Sequence, residues 1–484
     1  MTIEWIGAFT VAVGIVILYQ GVRFGIFALT ISSLLGAAAA VQLPSLGGAS
    51  IPPAYVLLFF VAISVACSQQ LRASIPMTVA FPGPGFWLAA LVVFGALSAA
   101  FLPRIFSGLT YVYSIARTES ESGIEVLQLS PATSNITQPL YLGADLLCFM
   151  IVATYGAVHG PRDIARAVLI AAIANLVFVA LDLATYATDT RELMSVIRNA
   201  NYRMLDDGEL GGIKRVVGSY TEAGAYAYTA IGFYAFFLNQ WLAGINVRLS
   251  GAVALMLLLT LLACTSTTAY VSLAIYSVAV FLSCIAKTAV GRSSSQQTLY
   301  LFLLPIGMLL IVIGTMLLPT LWGAVENLFD AAISNKLDSD SGIERMQWNE
   351  QAIRTFFDTF GMGAGVGSVR ASSLPIAILA NVGVIGALLF TALLVSLACA
   401  IHSSYRQSTE ELSASGAVAA LALVIPATVA AGGIDLGLHF SMFAGLAAAP
   451  HIALRRRWQR RAVVTGISAM LPVIAGPRTF TGVR

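Results

Sequence analysis

The sequence predicts an all-α protein that crosses a membrane many times, because it is rich in apolar residues and poor in charge. Of its 484 residues, 58% are hydrophobic and only 10% are charged, whereas a soluble domain carries about 25% charged residues. The mean hydropathy is +0.86. These values exclude a soluble enzyme, a disordered protein and a nucleic-acid-binding module. We therefore expect a single integral membrane domain over residues 1–484.

Thirteen apolar runs are candidates for membrane-spanning helices, each of which needs about 20 mostly apolar residues. Three of them are short, so we expect 12–13 transmembrane helices. The polar patch Thr265–Thr268 divides the long run 249–287 into two spans. No basic segment precedes the first run, so we expect no cleavable signal peptide. The runs lie at 4–20, 24–42, 53–68, 86–102, 140–158, 166–186, 223–242, 249–266, 268–287, 299–318, 375–399, 416–432 and 437–453.

The distribution of basic residues predicts the orientation of the chain. Lys and Arg are enriched in cytoplasmic loops, so the Arg cluster between Arg455 and Arg461 indicates that the tail 454–484 is cytoplasmic. Counting back along the spans places the N-terminus outside. The same count places three long loops outside, the last of them large and directly before the last three helices. These loops are 103–139, 187–222 and 319–374.

The last outside loop has the pattern of a structured segment. Apolar residues at helical spacing between Leu321 and Ala332 predict an amphipathic helix at the membrane surface. Ser341-Gly342-Ile343-Glu344 fits a capping box and predicts a second helix that runs to about Phe360, with Arg345 and Trp348 on one face. A glycine-rich turn containing Gly363 and Gly365 follows, and then Arg370. Such a turn can present N–H groups to an anion, or it is a tight turn leading into a membrane helix.

The loop 187–222 is rich in cations and ends directly before a span. Arg suits bidentate binding of phosphate, so these residues suggest a substrate with a diphosphate headgroup at the outer membrane face. The alternative is that they pair with nearby acids. The cations are Arg191, Arg198, Arg203, Lys214 and Arg215.

Several carboxylates are candidates for acid–base chemistry. Glu222 and Asp435 are expected near the outer face, and Asp435 has the alternative role of capping the last helix. Asp145 and Asp182 fall inside predicted spans, where a carboxylate is costly and therefore a functional candidate. His439 is either part of this site or a packed helix residue. The five Cys and four His residues form no metal-ligand pattern, so we expect neither a metal nor a cofactor.

Two stretches of the chain resemble the O-antigen ligase and O-antigen polymerase family, whose members are bacterial inner-membrane glycosyltransferases with lipid-linked donors. The segment Arg215…Gly218-Ser219-Tyr220 resembles the family's Arg-x-x-Gly-(small)-(aromatic) segment before a helix. The architecture, many spans with a large loop near the C-terminus, is similar over most of the chain. The second stretch reads Arg345…Trp348…Phe357…Gly361-Met362-Gly363-Ala364-Gly365…Gly383-Val384-Ile385-Gly386.

Departures from the family pattern favour a polymerase over a ligase. Ligases carry a His-(Asn/Ser/Gln) pair, then nine residues and a Gly-x-x-(Gly/Thr/Tyr) segment. This chain keeps the spacing, but Ser372 of Ser372-Ser373 replaces the His. The Ser-Arg that many members carry after the middle spans is replaced here by the patch Thr265–Thr268. Asp435 matches an acidic residue seen in ligases. A ligase therefore stays the first alternative, and a polysaccharide or lipid transporter is the alternative from another class.

The resemblance implies a type C-like glycosyltransferase fold in the bacterial inner membrane and a glycan donor carried on undecaprenyl diphosphate. Inverting transfer at the periplasmic face would use Arg215 and Arg345 to stabilise the leaving diphosphate, and Glu222 or Asp435 as the base. The implied partners are the lipid-linked oligosaccharide, membrane lipids, a chain-length regulator and a flippase. The expected substrate-binding residues are Arg370, Arg191, Arg203, Ser372, Trp348, Gly363 and Gly365.

Overall fold

Helices form most of the chain in the computed structural model, which describes residues 2–43, 49–115, 126–201, 204–205, 208–210, 213–317, 340–403 and 408–464. The described helices are α1 (Trp5–Gln20), α2 (Val22–Ser32), α3 (Pro53–Cys67), α4 (Gln69–Arg72), α5 (Ile75–Thr78), α6 (Pro84–Ile105), α7 (Ser134–His159), α8 (Arg162–Ala187), α9 (Ala223–Leu242), α10 (Val247–Ala263), α11 (Thr267–Ala289), α12 (Ser295–Leu317), α13 (Asp340–Asp358), α14 (Leu374–Ser403), α15 (Ser408–Ala430) and α16 (Gly437–Val464). A 3-10 helix spans Arg191–Val196.

The strands are short and lie between helices. Strands β1 (Thr2–Ile3), β2 (Val41–Leu43) and β3 (Ala49–Ile51) form an antiparallel sheet in that order. Strands β4 (Tyr111–Tyr113) and β5 (Val126–Gln128) pair antiparallel, with Val112 opposite Leu127. Strands β6 (Glu209–Leu210) and β7 (Ile213–Lys214) form a second hairpin. None exceeds three residues, so the expected all-α fold class is confirmed.

Within the described ranges, eight helices are long and apolar enough to cross a membrane: α6, α7, α8, α11, α12, α14, α15 and α16. A ninth candidate is the bent unit formed by α3 with the short helices α4 and α5, whose two arms meet at 93°. Helices α1, α2 and α10 are apolar but have fewer than 18 residues. The protein is therefore a multi-pass membrane protein, and the described helices give eight or nine full-length spans where the sequence predicted 12–13.

The predicted span 24–42 is wrong in its second half. Helix α2 ends at Ser32, and the chain turns before it enters β2. The hydroxyls of Ser32 and Ser33 donate to carbonyls of the preceding helical turn. Gly36 then lies so close to Tyr220 that a Cβ there would be 2.8 Å from the ring. This contact with a distant loop fixes the turn. The apolar sequence of residues 33–42 alone gives no sign that the helix ends at Ser32.

The core of the bundle is built around α7 and α9. Helix α9 is enclosed on all sides, and its Tyr226, Phe233 and Phe236 are fully buried. Glycines allow neighbouring helices to approach closely: a Cβ on Gly232 would lie 2.8 Å from the Leu423 side chain of α15. Small residues have this role in helix packing inside membranes, where apolar burial does not drive association. The positions of α9 and α15 are thus tightly constrained.

The polar ends of the helices group as the orientation analysis predicted. Arg23 and Arg166 both pair with Asp163, at 3.0 and 3.5 Å. At the C-terminal end of α16, Arg455 donates to the Phe81 carbonyl at 2.7 Å. Helix α16 continues to Val464, past residue 454 where the predicted tail begins. Which side of a membrane this end faces stays a prediction.

Candidate functional site

Three segments predicted as outside loops meet at one end of the bundle. The backbone N–H of Arg370 donates to the Tyr113 carbonyl at 2.9 Å, which joins the last long loop to the β4–β5 hairpin. The N–H of Ala371 donates to the Gly432 carbonyl at 3.5 Å, which joins it to the turn between α15 and α16. Gly432 and Tyr220 line the same cavity. Residues from distant parts of the sequence therefore share one location.

A cavity of about 370 Å³ lies at this end and is lined by both predicted bases, Glu222 and Asp435. Its walls come from the segment before α9, the first turns of α9 and the end of α15, with Tyr228 and Thr268 among the polar lining residues. We call it the carboxylate cavity. The remaining lining residues are mostly small and apolar. Two carboxylates in such a concave space form a candidate acid–base site.

Glu222 enters the carboxylate cavity from the residue that precedes α9. Its backbone is extended, with φ −157° and ψ 162°, and its side chain makes no capping hydrogen bond to the helix. Its carbonyl accepts the N–H groups of Ala225 and Tyr226, both at 3.1 Å. Within the described part of the chain, the Glu222 carboxylate has neither an ion-pair partner nor a hydrogen-bond donor. It is therefore available to a molecule in the cavity.

Asp435 is more constrained than Glu222. The N–H of Gly437 donates to the Asp435 carboxylate at 2.7 Å, so the predicted helix-capping role is present. The buried Asp145 of α7 lies close enough to Asp435 for the two carboxyl groups to interact electrostatically. The Tyr228 hydroxyl donates to the adjoining Leu436 carbonyl at 2.6 Å. The structure thus unites Asp145 with Asp435, a pairing that the sequence did not indicate.

Arg370 stacks on Trp348 beside the carboxylate cavity. The guanidinium carbon lies 5.1 Å from the centre of the Trp348 ring. Burial lowers the pKa of Arg370, and the nearby Glu344 carboxylate opposes that shift. The Arg370 Nε and the Trp348 Nε1 are both buried without a hydrogen-bond partner. Two such donors at one location are suited to bind an oxygen-rich ligand by donating hydrogen bonds to it.

Helix α13 carries Arg345 and Trp348 as the capping box predicted. The helix spans Asp340–Asp358, and Arg345 is half-buried one turn before Trp348. Ser372 is buried and its N–H donates to the Asn349 side-chain oxygen at 2.7 Å. This bond ties the end of the loop back to α13. The predicted amphipathic helix between Leu321 and Ala332 lies outside the described residues.

The cations of the loop 187–222 are divided among different roles. Arg215 is half-buried, interacts electrostatically with Tyr270, and has a buried Nε without a hydrogen-bond partner. Arg191 stacks over Tyr186 at 4.5 Å and pairs with Asp189 at 3.7 Å. Neither Arg residue lines the carboxylate cavity. Arg203 lies outside the described residues.

Asp182 holds the segment that leads to Glu222. The carboxylate, 2% exposed, accepts the backbone N–H groups of Val217 and Gly218 at 2.9 and 3.0 Å. It also pairs with Arg198 at 2.7 Å and Lys214 at 3.6 Å. The sequence identified Asp182 as a costly intramembrane carboxylate without assigning its role. Its contacts make it an anchor for this segment and show that two of the loop's cations are used structurally.

The glycine-rich turn uses its backbone donors within the protein. The N–H of Ala364 donates to the Ala380 carbonyl and that of Gly365 to the Asn381 carbonyl, both at 2.8 Å. Gly363 and Gly365 are buried with φ values of +82° and +95°. A Cβ on either would lie 2.7 Å from backbone atoms of a neighbouring helix. These contacts favour the alternative of a tight packing turn over an anion cradle.

His439 is a packed helix residue. Its Nε2 lies 3.1 Å from the Ser33 Oγ, and its ring makes an edge contact with Phe233. Among the residues that the structure describes, no three His, Cys, Asp or Glu side chains form a group that could hold a metal ion. The expectation that no metal or cofactor is used stays a prediction.

No family model matches the chain and no curated protein matches it. The class of protein is therefore defined by the fold and the site alone: a multi-pass, all-α membrane protein with a carboxylate cavity where its long loops meet.

Proposed function

We propose that the chain is a membrane glycosyltransferase that polymerises repeat units of exopolysaccharide, capsule or O-antigen carried on undecaprenyl diphosphate. The observation that supports this proposal most is the carboxylate cavity, where Glu222 and Asp435 line one space. The loop that carries Arg370 contacts the cavity wall through Ala371 and Gly432. A base beside a cation is the arrangement that inverting transfer from a lipid diphosphate requires.

Glu222 is the proposed base. It would take the proton from an acceptor sugar hydroxyl as that oxygen attacks the anomeric carbon of the donor, and the bond to the lipid diphosphate would break. Its carboxylate has no partner among the described residues, whereas Asp435 accepts the N–H of Gly437 and lies near the buried Asp145. Asp435 would then position the acceptor. General-base catalysis of this kind contributes about 10²–10⁴-fold to the rate.

Arg370 is the cation proposed to meet the departing diphosphate. The next residue, Ala371, contacts the cavity wall at Gly432, and the Arg370 Nε has no hydrogen-bond partner among the described residues. A buried guanidinium stabilises developing negative charge more strongly than an exposed one, because water does not screen it. Arg345 and Arg215 are proposed to bind the diphosphate further from the cavity, with Trp348 stacking on Arg370.

The proposed setting is the bacterial inner membrane, with the carboxylate cavity on the periplasmic side, the N-terminus outside and the C-terminus in the cytoplasm. A flippase would deliver the lipid-linked repeat unit, and a chain-length regulator would act with the polymerase. The supporting pattern is the grouping of Arg23, Arg166 and Asp163. They lie at the start of α2 and α8, whereas the carboxylate cavity lies beyond the end of α8.

The test is an analysis of lipid-linked glycans in a deletion strain that carries wild-type or variant protein at equal levels. Loss of the protein should cause single repeat units to accumulate on lipid, and Glu222→Gln should reproduce this accumulation. Glu350→Gln is the matched control, because Glu350 is exposed and pairs with Arg354 at the surface of α13. Accumulation of long polymer on lipid would instead identify a ligase. Unchanged lipid-linked glycans in the deletion strain and in the Glu222→Gln strain would refute the proposal that the protein is a transferase.

A further inference from the structure

A second cavity of about 370 Å³ lies at the other end of the bundle and contains two arginines, Arg162 and Arg166, at the start of α8. Gln240 of α9 and Leu412 of α15 also line this cavity. We call it the arginine cavity. The rest of its lining combines apolar side chains, such as Leu169, Phe237 and Leu249, with the polar Asn246 and Ser250.

The two cavities lie at opposite ends of the same pair of helices. Tyr228 of α9 lines the carboxylate cavity and Gln240 lines the arginine cavity. At a rise of 1.5 Å per residue, they are about 18 Å apart along the helix axis. On α15 the order is reversed, with Leu412 in the arginine cavity and Pro426 in the carboxylate cavity. The arginine cavity is therefore a separate site.

The polar groups of the arginine cavity require an acceptor. Gln240 is only 6% exposed, and among the residues that the structure describes its buried Nε2 has no hydrogen-bond partner. A buried amide donor without an acceptor is costly, so such groups are normally satisfied by a ligand or water. Arg162 is in no ion pair within the described ranges. Arg166 pairs with Asp163 at 3.5 Å, but the same carboxylate also accepts from Arg23 at 3.0 Å and from Tyr155 at 3.1 Å, so it is shared among three donors.

We propose that the arginine cavity binds the phosphate headgroup of an anionic phospholipid. Two guanidinium groups and an amide donor suit the phosphate oxygens. A lipid fits better than a soluble phosphate, because exposed apolar side chains flank the cavity and give acyl chains a surface. On α8, Ile170 and Ile173 are 43% and 45% exposed, and Leu249 of α10 is 45% exposed. This site does not depend on the proposed transferase activity.

Native mass spectrometry of the purified full-length protein tests the proposal with two lipids of equal chain length, dioleoylphosphatidylglycerol and dioleoylphosphatidylcholine. The anionic lipid should be retained about tenfold more strongly. The double variant Arg162→Ala/Arg166→Ala should lose this tenfold preference for the anionic lipid, since one hydrogen bond to a charged group already contributes about this order. Gln240→Leu should weaken retention several-fold while keeping the volume of the side chain.

Arg248→Ala is the matched control, because Arg248 is an exposed cation at the start of α10 that does not line the cavity. It should retain the anionic lipid as the wild type does. Equal retention of both lipids, or equal loss in Arg248→Ala and the double variant, would overturn the proposal. Displacement of the lipid by millimolar inorganic phosphate would identify a free phosphate site and would overturn it as well.

Discussion

Replacing Asp182 with Asn tests whether the segment before Glu222 is held by a buried charge. The Asp182 side chain is 2% exposed, and its partners Arg198 and Lys214 are 6% and 7% exposed. The substitution removes the carboxylate charge and leaves one oxygen, so the asparagine side chain cannot both accept the two backbone N–H groups that Oδ2 accepts and face Arg198 with a second oxygen. Breaking a buried ion pair by removing one partner costs about 3–5 kcal/mol. We expect the purified protein to lose about this much stability.

The measurement is thermal unfolding of the purified protein followed by tryptophan fluorescence, with Asp163→Asn as the matched control. Asp163 also lies between two cations, but Arg23 and Arg166 are 62% and 65% exposed. Exposed pairs contribute about 0–1 kcal/mol, so the control should unfold close to the wild type, several degrees above Asp182→Asn. Equal shifts in both variants would refute the role of burial.

A second variant separates the buried charge from a simple loss of packing. Adding Arg198→Met to Asp182→Asn removes one of the cations that the first change leaves without its carboxylate. Replacing a whole buried ion pair by apolar groups is often neutral or stabilising, so the double variant should recover part of the lost stability. Further destabilisation in the double variant would show that Arg198 contributes mainly through other contacts.

Two further predictions concern the last long loop. Gly365→Ala should destabilise the protein by about 2–4 kcal/mol, because of its strained φ and a clash with the Ser98 carbonyl. The control Gly143→Ala has open space around its Cβ position and should leave the thermal midpoint unchanged or raised. Equal midpoints in the two variants would contradict the packing role of Gly365. Arg370→Lys should reduce repeat-unit transfer about tenfold, because Lys lacks the planar group that stacks on Trp348. The surface change Arg354→Lys should not, and equal transfer rates would exclude Arg370 from the site.

The positions of the helices could be predicted from the sequence because the length of an apolar run is a local property. Each predicted span coincides with a helix over at least part of its length, and the break at Thr265–Thr268 separates α10 from α11. The prediction was wrong where a distant contact decided the outcome. Helix α2 ends early because Gly36 packs against Tyr220, which lies far along the chain.

The site could be predicted in its components and not in its arrangement. Glu222 and Asp435 were selected because each precedes a helix at the expected outer face, but their shared cavity depends on how α9, α15 and α16 pack. Asp145 and Asp182 were both identified as intramembrane carboxylates. Only the tertiary structure shows that Asp145 joins Asp435, while Asp182 anchors the chain near Gly218.

The contacts of the long loops also set an order for assembly during synthesis. The segment before α9 docks on elements that precede it in the chain, since the Ala37 N–H donates to the Ser219 carbonyl at 3.1 Å. It can therefore fold as it leaves the ribosome and inserts. The β4–β5 hairpin cannot, because Thr110 donates to Asp358 at 2.5 Å and the Tyr113 carbonyl accepts from Arg370. The hairpin can make these contacts only after synthesis has passed Arg370, about three-quarters of the way along the chain.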